Sequence, residues 1–279
     1  MPQASVLDAP ELAAERNAAR AAGENFPVVS LLAPRWARPH LRAVYGFARL
    51  VDTLGDETAG DRLGLLAELE RQLDGPRTVL MERVHETIAA CSLPLEPFRR
   101  LIEANRIDQS RTRYETWEDV RGYCTYSADP VGRLVLGIYG RLDEPGLVAM
   151  SDSVCTGLQL VNFVQDPPRD LALGRVYLPQ EDLRRFGVAD ADLAGPLTEP
   201  VAALLRFEAE RARGLLEAGL PLRKALGGRP GLGVALYARG GLAALAALEH
   251  AGFDVFSSRP APTRWTFLRL ALRELVRRP

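Results

Sequence analysis

Cysteine and histidine are scarce in this 279-residue chain, and each scarcity narrows the choice of function. The three cysteines are widely spaced and form no CxxC pair, which argues against a disulfide framework or a zinc knuckle and fits a reducing cytoplasm. The three histidines occur in no HExxH or ExxH spacing, which argues against zinc hydrolase and di-iron sites. Phosphate-binding loops of the GxxxxGK(S/T) type and dinucleotide fingerprints of the GxGxxG type are not seen either, so no nucleotide site is indicated.

A surplus of basic charge is also missing. The 35 basic and 36 acidic residues leave a formal net charge of −1, although every basic residue except Lys224 is an arginine. Binding to nucleic acid usually needs a basic surplus, so nucleic acid is not an expected partner. The charged N-terminal stretch is not typical of a secretory signal, and no continuous apolar run reaches the roughly 18 residues of a membrane span. We expect a cytoplasmic protein, with peripheral contact to the inner face of the membrane left open.

Hydrophobic residues recur with the helical period along nearly the whole chain, whereas the two-residue alternation of strands is nearly absent. This pattern predicts an all-α protein. The expected helices lie at about 8–22, 36–57, 61–74, 78–91, 95–111, 116–141, 144–172, 200–219, 231–250 and 264–277. No break between them is long enough to be an interdomain linker, and no period of 20–50 residues repeats. Residues 1–279 are therefore predicted to form one domain.

Two acidic pairs lie within otherwise apolar helices. Asp52 and Asp56 are spaced i, i+4, and so are Asp166 and Asp170, with the amide oxygen of Asn162 one turn earlier. Like charges at this spacing destabilise a helix by roughly 0.2–0.5 kcal/mol unless a cation lies between them. Oxygen ligands of this kind suit Mg²⁺, which is usually completed by a substrate phosphate. A solvated face is the ordinary explanation for a single pair, but two pairs in apolar surroundings favour a metal site.

Two prolines, Pro167 and Pro168, separate the carboxylates of the second pair. Because proline removes a backbone hydrogen bond from a helix interior, we expect this pair to be splayed or to lie near a helix end.

Longer motifs contain both pairs. They read GENFPVVS at 23–30, RPHLRAVYGFARLVDTLGDE at 38–57, DQSRTRYETWEDVRGYCTYSADPVGR at 108–133 and CTGLQLVNFVQDPPRDLALGRVYLP at 155–179. In order and spacing they resemble the motifs of the squalene and phytoene synthases, over about residues 24–180. The resemblance implies the isoprenoid synthase fold, which is a single-domain helical bundle around a central apolar cavity.

The resemblance also implies roles for individual residues. Mg²⁺ would be held by Asp52, Asp56, Asn162, Asp166 and Asp170. The catalytic set would be the same four aspartates together with Tyr123, which matches a family tyrosine near the departing diphosphate. The residues implied to contact the diphosphate or to line the cavity are Phe26, Tyr45, Arg49, Gln159, Asn162, Arg175 and Tyr177.

Within the family, the chain is most similar to the bacterial hydroxysqualene synthases of hopanoid biosynthesis. The similarity lies in ENFPV at 24–28, in TRY at 112–114 and in Gln165, which stands where condensing members tend to have arginine. This branch implies that presqualene diphosphate is ionised and that the rearranged cation is trapped by water, which gives hydroxysqualene and pyrophosphate without a reductant.

Two alternatives stay open. One is head-to-head condensation of two prenyl diphosphates, from farnesyl diphosphate to presqualene diphosphate or squalene, or from geranylgeranyl diphosphate to phytoene. The other, more remote, is a non-catalytic helical assembly factor, which the retained aspartates disfavour. Hand-off of the greasy product to other enzymes of the squalene pathway is a further expectation about partners.

Overall fold

Helices make up all the regular structure between residues 33 and 276, the part of the chain that this computed structural model describes. The expected helix at 8–22 and Phe26 lie outside the described residues. Within them, strand pairing is limited to one isolated bridge between Arg113 and Val176. The predicted all-α fold is confirmed.

The first half of the bundle comprises α1 Ala37–Asp52, a π-helical turn Thr53–Glu57, α2 Arg62–Arg71, α3 Val79–Cys91, α4 Glu96–Ile107, α5 Trp117–Ser127 and α6 Asp129–Ile138. The second half comprises α7 Pro145–Gln165, α8 Pro167–Ala172, α9 Gln180–Phe186, a 3₁₀ turn Asp190–Ala194, α10 Glu199–Gly219, α11 Leu222–Leu226, α12 Gly228–His250 and α13 Arg264–Val276.

Local sequence explains where several of these helices begin. The Thr78 side chain accepts the backbone N–H of Met81 at the start of α3. Thr116 and Asp119 form a reciprocal capping box at the start of α5. Such caps satisfy backbone groups that have no partner within the helix and contribute about 1 kcal/mol each.

Three of the expected helices are interrupted. The helix at 36–57 changes to a π-helical turn after Asp52, the helix at 116–141 breaks at Ala128, and the helix at 144–172 breaks at Asp166. The break at Asp166 lies directly before Pro167, since the residue before a proline is disfavoured in the helical region. The break at Ala128 lies two residues before Pro130, which is in the first turn of α6. Pro167 is the first residue of α8, where its missing N–H costs no helical hydrogen bond. The second acidic pair therefore lies at a helix end, as the prolines predicted.

Two large hydrophobic clusters hold the bundle together. One is formed by α1 to α4, where Phe47 packs edge-on against Phe98 with ring centroids 5.1 Å apart. The other is built around α5, α7, α10 and α12 and includes the buried residues Val164, Leu205 and Leu245. A large cavity lies between residues of the two clusters.

Helices α7 and α12 are long and apolar enough to cross a membrane by length and composition. Half or more of each apolar window is buried inside the protein, 50% in α7 and 61% in α12. Both helices contribute to the walls of the cavity, which accounts for their apolar character.

Candidate active site

The cavity has a volume of about 990 Å³ and is bordered by α1, α4, α6, α7 and α12. Much of its wall is apolar, and that part includes Leu41, Val44, Val131, Val135, Val154, Leu158, Val161, Val234 and Ala244. Acidic, basic and amide side chains from both halves of the chain line the rest of the wall. The arrangement suits a ligand that joins a hydrocarbon body to a charged group.

The first acidic pair lies where α1 ends. Asp52 is the last residue of α1, and Asp56 belongs to the π-helical turn, in which the N–H of Thr58 donates to the carbonyl oxygen of Thr53 at 3.0 Å. Short π-helical segments frequently occur at functional sites. Arg49, one turn before Asp52, lies 3.5 Å from its carboxylate.

The second acidic pair lies at the junction of α7 and α8. Gln159 and Asn162 approach it along α7, and the N–H of Asp170 donates to the carbonyl oxygen of Asp166 at 2.9 Å. Burial raises the pKa of Asp170 to about 7, and the neighbouring Asp166 carboxylate acts in the same direction. Because the charged form of this half-buried carboxylate is disfavoured, a nearby cation would stabilise it.

Two arginines connect the acidic pairs to other segments. Arg175, which follows α8, donates to the carboxylate of Asp56 at 2.7 Å and so joins the second motif to the first. Arg259, in the segment between α12 and α13, donates to both carboxylate oxygens of Asp166, at 2.6 and 2.7 Å. Beside it, the Gln165 side chain donates to the carbonyl oxygen of Pro260 at 2.6 Å.

Aromatic side chains form a wall beside the acidic groups. Tyr177 stacks on Phe163 with ring centroids 4.3 Å apart and on Tyr123 at 5.4 Å. The hydroxyl groups of Tyr123 and Tyr177 both donate to the carboxylate of Asp108, at 2.6 and 3.0 Å. Burial raises the pKa of Asp108 to about 6, although these hydrogen bonds oppose the change.

The structure brings the sequence-predicted residues together on one cavity. The residues that line it are Tyr45, Arg49, Asp52, Asp56, Tyr123, Gln159, Asn162, Asp166, Asp170, Arg175 and Tyr177. The remaining candidate, Phe26, lies outside the described residues. Location on the cavity wall leaves the individual roles of these side chains as predictions.

Two residues of the site were not among the predicted ones. Asp108 begins the motif DQSRTRY, but its contacts with the tyrosines depend on how α4 packs against α5. Arg259 follows α12 in a proline-containing segment without helical periodicity, and it is 93 residues distant from Asp166. A buried polar residue inside a shared motif was the available signal for Asp108, and no local signal marked Arg259.

The candidate ligands have the chemistry that Mg²⁺ requires, since all five offer carboxylate or amide oxygens to the same cavity. Burial is the main cause of the raised pKa of Asp170 and the Asp166 carboxylate adds to it, so a cation near this pair would offset both effects. Between residues 33 and 276, no three Asp, Glu, His or Cys side chains are close enough to hold one ion as they stand. The donor types therefore suit a hard divalent cation, and two of the carboxylates are paired with Arg175 and Arg259 in this structure.

Comparison with solved structures identifies the fold class. The crystal structure of squalene synthase HpnC from Alicyclobacillus acidocaldarius superposes with a TM-score of 0.77 and 48% identity, covering 86% of this chain and 93% of that one. A dehydrosqualene synthase in complex with ligand superposes with a TM-score of 0.85 at 23% identity, covering 94% and 95% of the two chains. The protein has the all-α isoprenoid synthase fold.

The sequence comparisons agree with this fold. The family model of squalene/phytoene synthase matches residues 19–266. A hydroxysqualene synthase from Zymomonas mobilis is 32% identical over 73% of this chain and 64% of its own length. A hydroxysqualene synthase from Rhodopseudomonas palustris is 36% identical over 71% of this chain and 70% of its own length. A 15-cis-phytoene synthase from Synechocystis is 32% identical over 77% of this chain and 69% of its own length. The chain belongs to the squalene/phytoene synthase family, whose members are enzymes that process prenyl diphosphates.

Proposed function

We propose that this protein ionises presqualene diphosphate and traps the rearranged cation with water, which gives hydroxysqualene and pyrophosphate. The observation that carries the proposal is the convergence of two acidic pairs and two arginines on a cavity with extensive apolar walls. The identity to relatives named hydroxysqualene synthase and to the solved squalene synthase supports this choice within the family.

Asp52, Asp56, Asn162, Asp166 and Asp170 are the residues that would hold Mg²⁺. The metal, when bound, supplies Lewis-acid stabilisation of the charge on the leaving diphosphate.

The protein's own side chains supply the rest of the chemistry. In this structure, Arg49, Arg175 and Arg259 each contact a carboxylate. Their guanidinium groups would bind the oxygens of a diphosphate through pairs of hydrogen bonds. The apolar walls keep bulk water away from a carbocation. The faces of Tyr177 and Phe163, which form part of those walls, stabilise positive charge in the way that aromatic rings stabilise other cations.

A second candidate is head-to-head condensation of two farnesyl or geranylgeranyl diphosphates. The 32% identity to a phytoene synthase favours it, because the match is as extensive as those to the hydroxysqualene synthases.

The two candidates differ in the substrate that they consume. The purified protein is incubated with Mg²⁺ and, separately, with farnesyl, geranylgeranyl and presqualene diphosphates in the absence of NADPH, and extracted products are read by gas chromatography and mass spectrometry. A C30 alcohol from presqualene diphosphate supports the proposal. Presqualene diphosphate or phytoene from the linear substrates would assign the protein to the condensing branch, and no product from any substrate would support a non-catalytic role.

We also propose that the protein is cytoplasmic and touches the inner face of the membrane through α13. Trp265, Arg269 and Leu272 are exposed there at the i, i+4 and i+7 positions of one face, a pattern typical of interfacial helices. The opposite face is anchored, because the side chain of Glu274 accepts from Arg239 at 3.2 Å. Cell fractionation tests the location. Sedimentation with anionic and with neutral vesicles tests the contact, which Trp265→Ser should weaken.

Hand-off of the product or substrate to neighbouring enzymes of the squalene pathway is a proposal about partners. It is tested by adding labelled presqualene diphosphate to a mixture of this protein and the enzyme that makes that substrate. If the label in the product matches the label in the fully mixed pool of presqualene diphosphate, direct transfer would be contradicted.

A further inference from the structure

Asp108 caps the C-terminal end of α4, with only 8% of its surface exposed. Its Oδ2 accepts the hydroxyl of Tyr123 at 2.6 Å, and its Oδ1 accepts the hydroxyl of Tyr177 at 3.0 Å. The tyrosines come from α5 and from the segment after α8, and all three residues border the cavity. One carboxylate therefore fixes two tyrosines of the cavity wall.

This arrangement determines the direction of both hydroxyl protons. A tyrosine hydroxyl has a single proton and two lone pairs, whereas an ionised carboxylate only accepts hydrogen bonds. Both protons therefore point to Asp108, and the oxygen of Tyr123, a side chain that lines the cavity, keeps lone pairs but has no proton to offer another group. Toward any third group, the Tyr123 hydroxyl in this arrangement is a hydrogen-bond acceptor rather than a donor.

The surroundings of Asp108 allow its carboxylate both to accept a proton and to release it again. Nearby charge comes from Arg175, whose Nη1 is 4.0 Å from Oδ2 and donates to Asp56 at 2.7 Å. Burial raises the pKa of Asp108 to about 6, while the two tyrosine hydrogen bonds and Arg175 favour the ionised form. The carboxylate is thus largely ionised at neutral pH and is basic enough to accept a proton.

We propose that Asp108 is a positioning residue that makes Tyr123 the acceptor for the water that quenches the cation, and that Asp108 receives the proton released. The inference rests on the proposed water-trapping reaction. The water oxygen forms the new C–O bond, and its proton moves to the Tyr123 oxygen as the phenolic proton passes to Oδ2. A carbocation, a water molecule and a carboxylate become a neutral alcohol and a carboxylic acid, and Tyr123 ends as it began.

The test separates ionisation from quenching. Pyrophosphate release from presqualene diphosphate reports ionisation, and the yield of C30 alcohol reports the water quench. Asp108→Asn replaces one acceptor oxygen of the carboxylate by an NH2 group, which is a donor. The tyrosine hydroxyl that faces this NH2 group can only accept from it and must direct its own proton elsewhere. We expect the ratio of alcohol to pyrophosphate to fall by about tenfold or more, because a positioned acid–base group contributes roughly 10²-fold or more. The remaining cation should leave as hydrocarbons formed by proton loss.

Tyr123→Phe removes the intermediate group and should lower the same ratio to the same extent. The double variant should be no worse than either single variant, because both residues act in one relay. Asp129→Asn is the matched control, since Asp129 is also a buried aspartate but accepts from Thr156 at 2.8 Å. It should leave the ratio at the wild-type value.

An unchanged ratio in Asp108→Asn, with a slower reaction overall, would overturn the inference and leave Asp108 a purely structural role. Additive losses in the double variant would do the same. If Asp108→Asn does not fold, Tyr123→Phe is compared with Tyr177→Phe, and an equal fall of the ratio in both would contradict a specific path through Tyr123. Failure of the wild-type protein to form any alcohol would count against the proposed function itself, which distinguishes the two failures.

Discussion

Arg259 holds both carboxylate oxygens of Asp166, although 93 residues separate them in the chain. The same aspartate is a candidate metal ligand, so a metal ion would compete with this guanidinium group for one side chain. Arg259 is more than half exposed, at 55%, which makes this pair easier to open than the buried contact between Arg175 and Asp56. Metal binding by Asp166, as proposed above, would require this ion pair to open.

Removing this competitor should strengthen metal binding when no substrate is present. We expect Arg259→Gln to bind Mn²⁺ up to about fivefold more tightly in a titration followed by electron paramagnetic resonance, because an exposed ion pair is worth about 1 kcal/mol or less. Arg99→Gln breaks an unrelated surface pair with Asp74 and should change nothing. Weaker binding in Arg259→Gln would mean that the arginine orients Asp166 for the metal instead of occupying it.

The acidic pairs should be essential to turnover and dispensable for folding. We expect Asp52→Asn or Asp170→Asn to lower kcat/KM by about 100-fold or more, since several kcal/mol of charge stabilisation are lost. Burial already raises the pKa of Asp170, so its neutral replacement should leave helix content by circular dichroism unchanged. Asp74→Asn, an exposed aspartate, serves as the control. Near-native rates in either site variant would rule out a metal-binding role for that carboxylate.

Asp129 should make stability depend on pH. Burial raises its pKa from 3.8 to about 7, so the folded state keeps a proton that the unfolded chain has lost, and stability falls as pH rises from about 4 to 7. Asp129→Asn keeps an acceptor for Thr156 without the charge. Its free energy of unfolding relative to the wild type should rise by ~2–4 kcal/mol between pH 4 and pH 8 in urea titrations. Parallel pH curves for the two proteins would contradict the burial argument.

The close packing of α7 against α10 should make Gly157 sensitive to substitution. A Cβ at this position would lie 2.9 Å from Cγ of Leu216 and 3.2 Å from its backbone nitrogen. We expect Gly157→Ala to lower the free energy of unfolding by about 1–3 kcal/mol. Gly122→Ala is the matched control, because no atom lies within 4 Å of its added Cβ. There the gain in helix propensity should raise stability by roughly 0.5–1 kcal/mol.

The sequence predicted the helical fold and most of the polar residues that line the cavity, because both depend on local patterns. The i, i+4 spacing of the aspartates predicted that the two carboxylates of each pair lie about one turn apart, and the resemblance of the motifs indicated Tyr123 and Arg175. The π-helical turn at Thr53–Glu57 was missed, since its backbone is held by distant contacts such as the hydrogen bond from Gln109 to the Gly55 carbonyl at 3.1 Å. Arg259 was missed for the same reason, because only the folded chain brings it to Asp166.

The extent of the cavity has a thermodynamic consequence for substrate binding. A cavity of about 990 Å³ with extensive apolar walls would bury most of the surface of an isoprenoid chain. Burial of so much apolar surface gives a large negative heat-capacity change. The balance between enthalpy and entropy of binding should therefore shift steeply with temperature, and entropy should dominate in the cold.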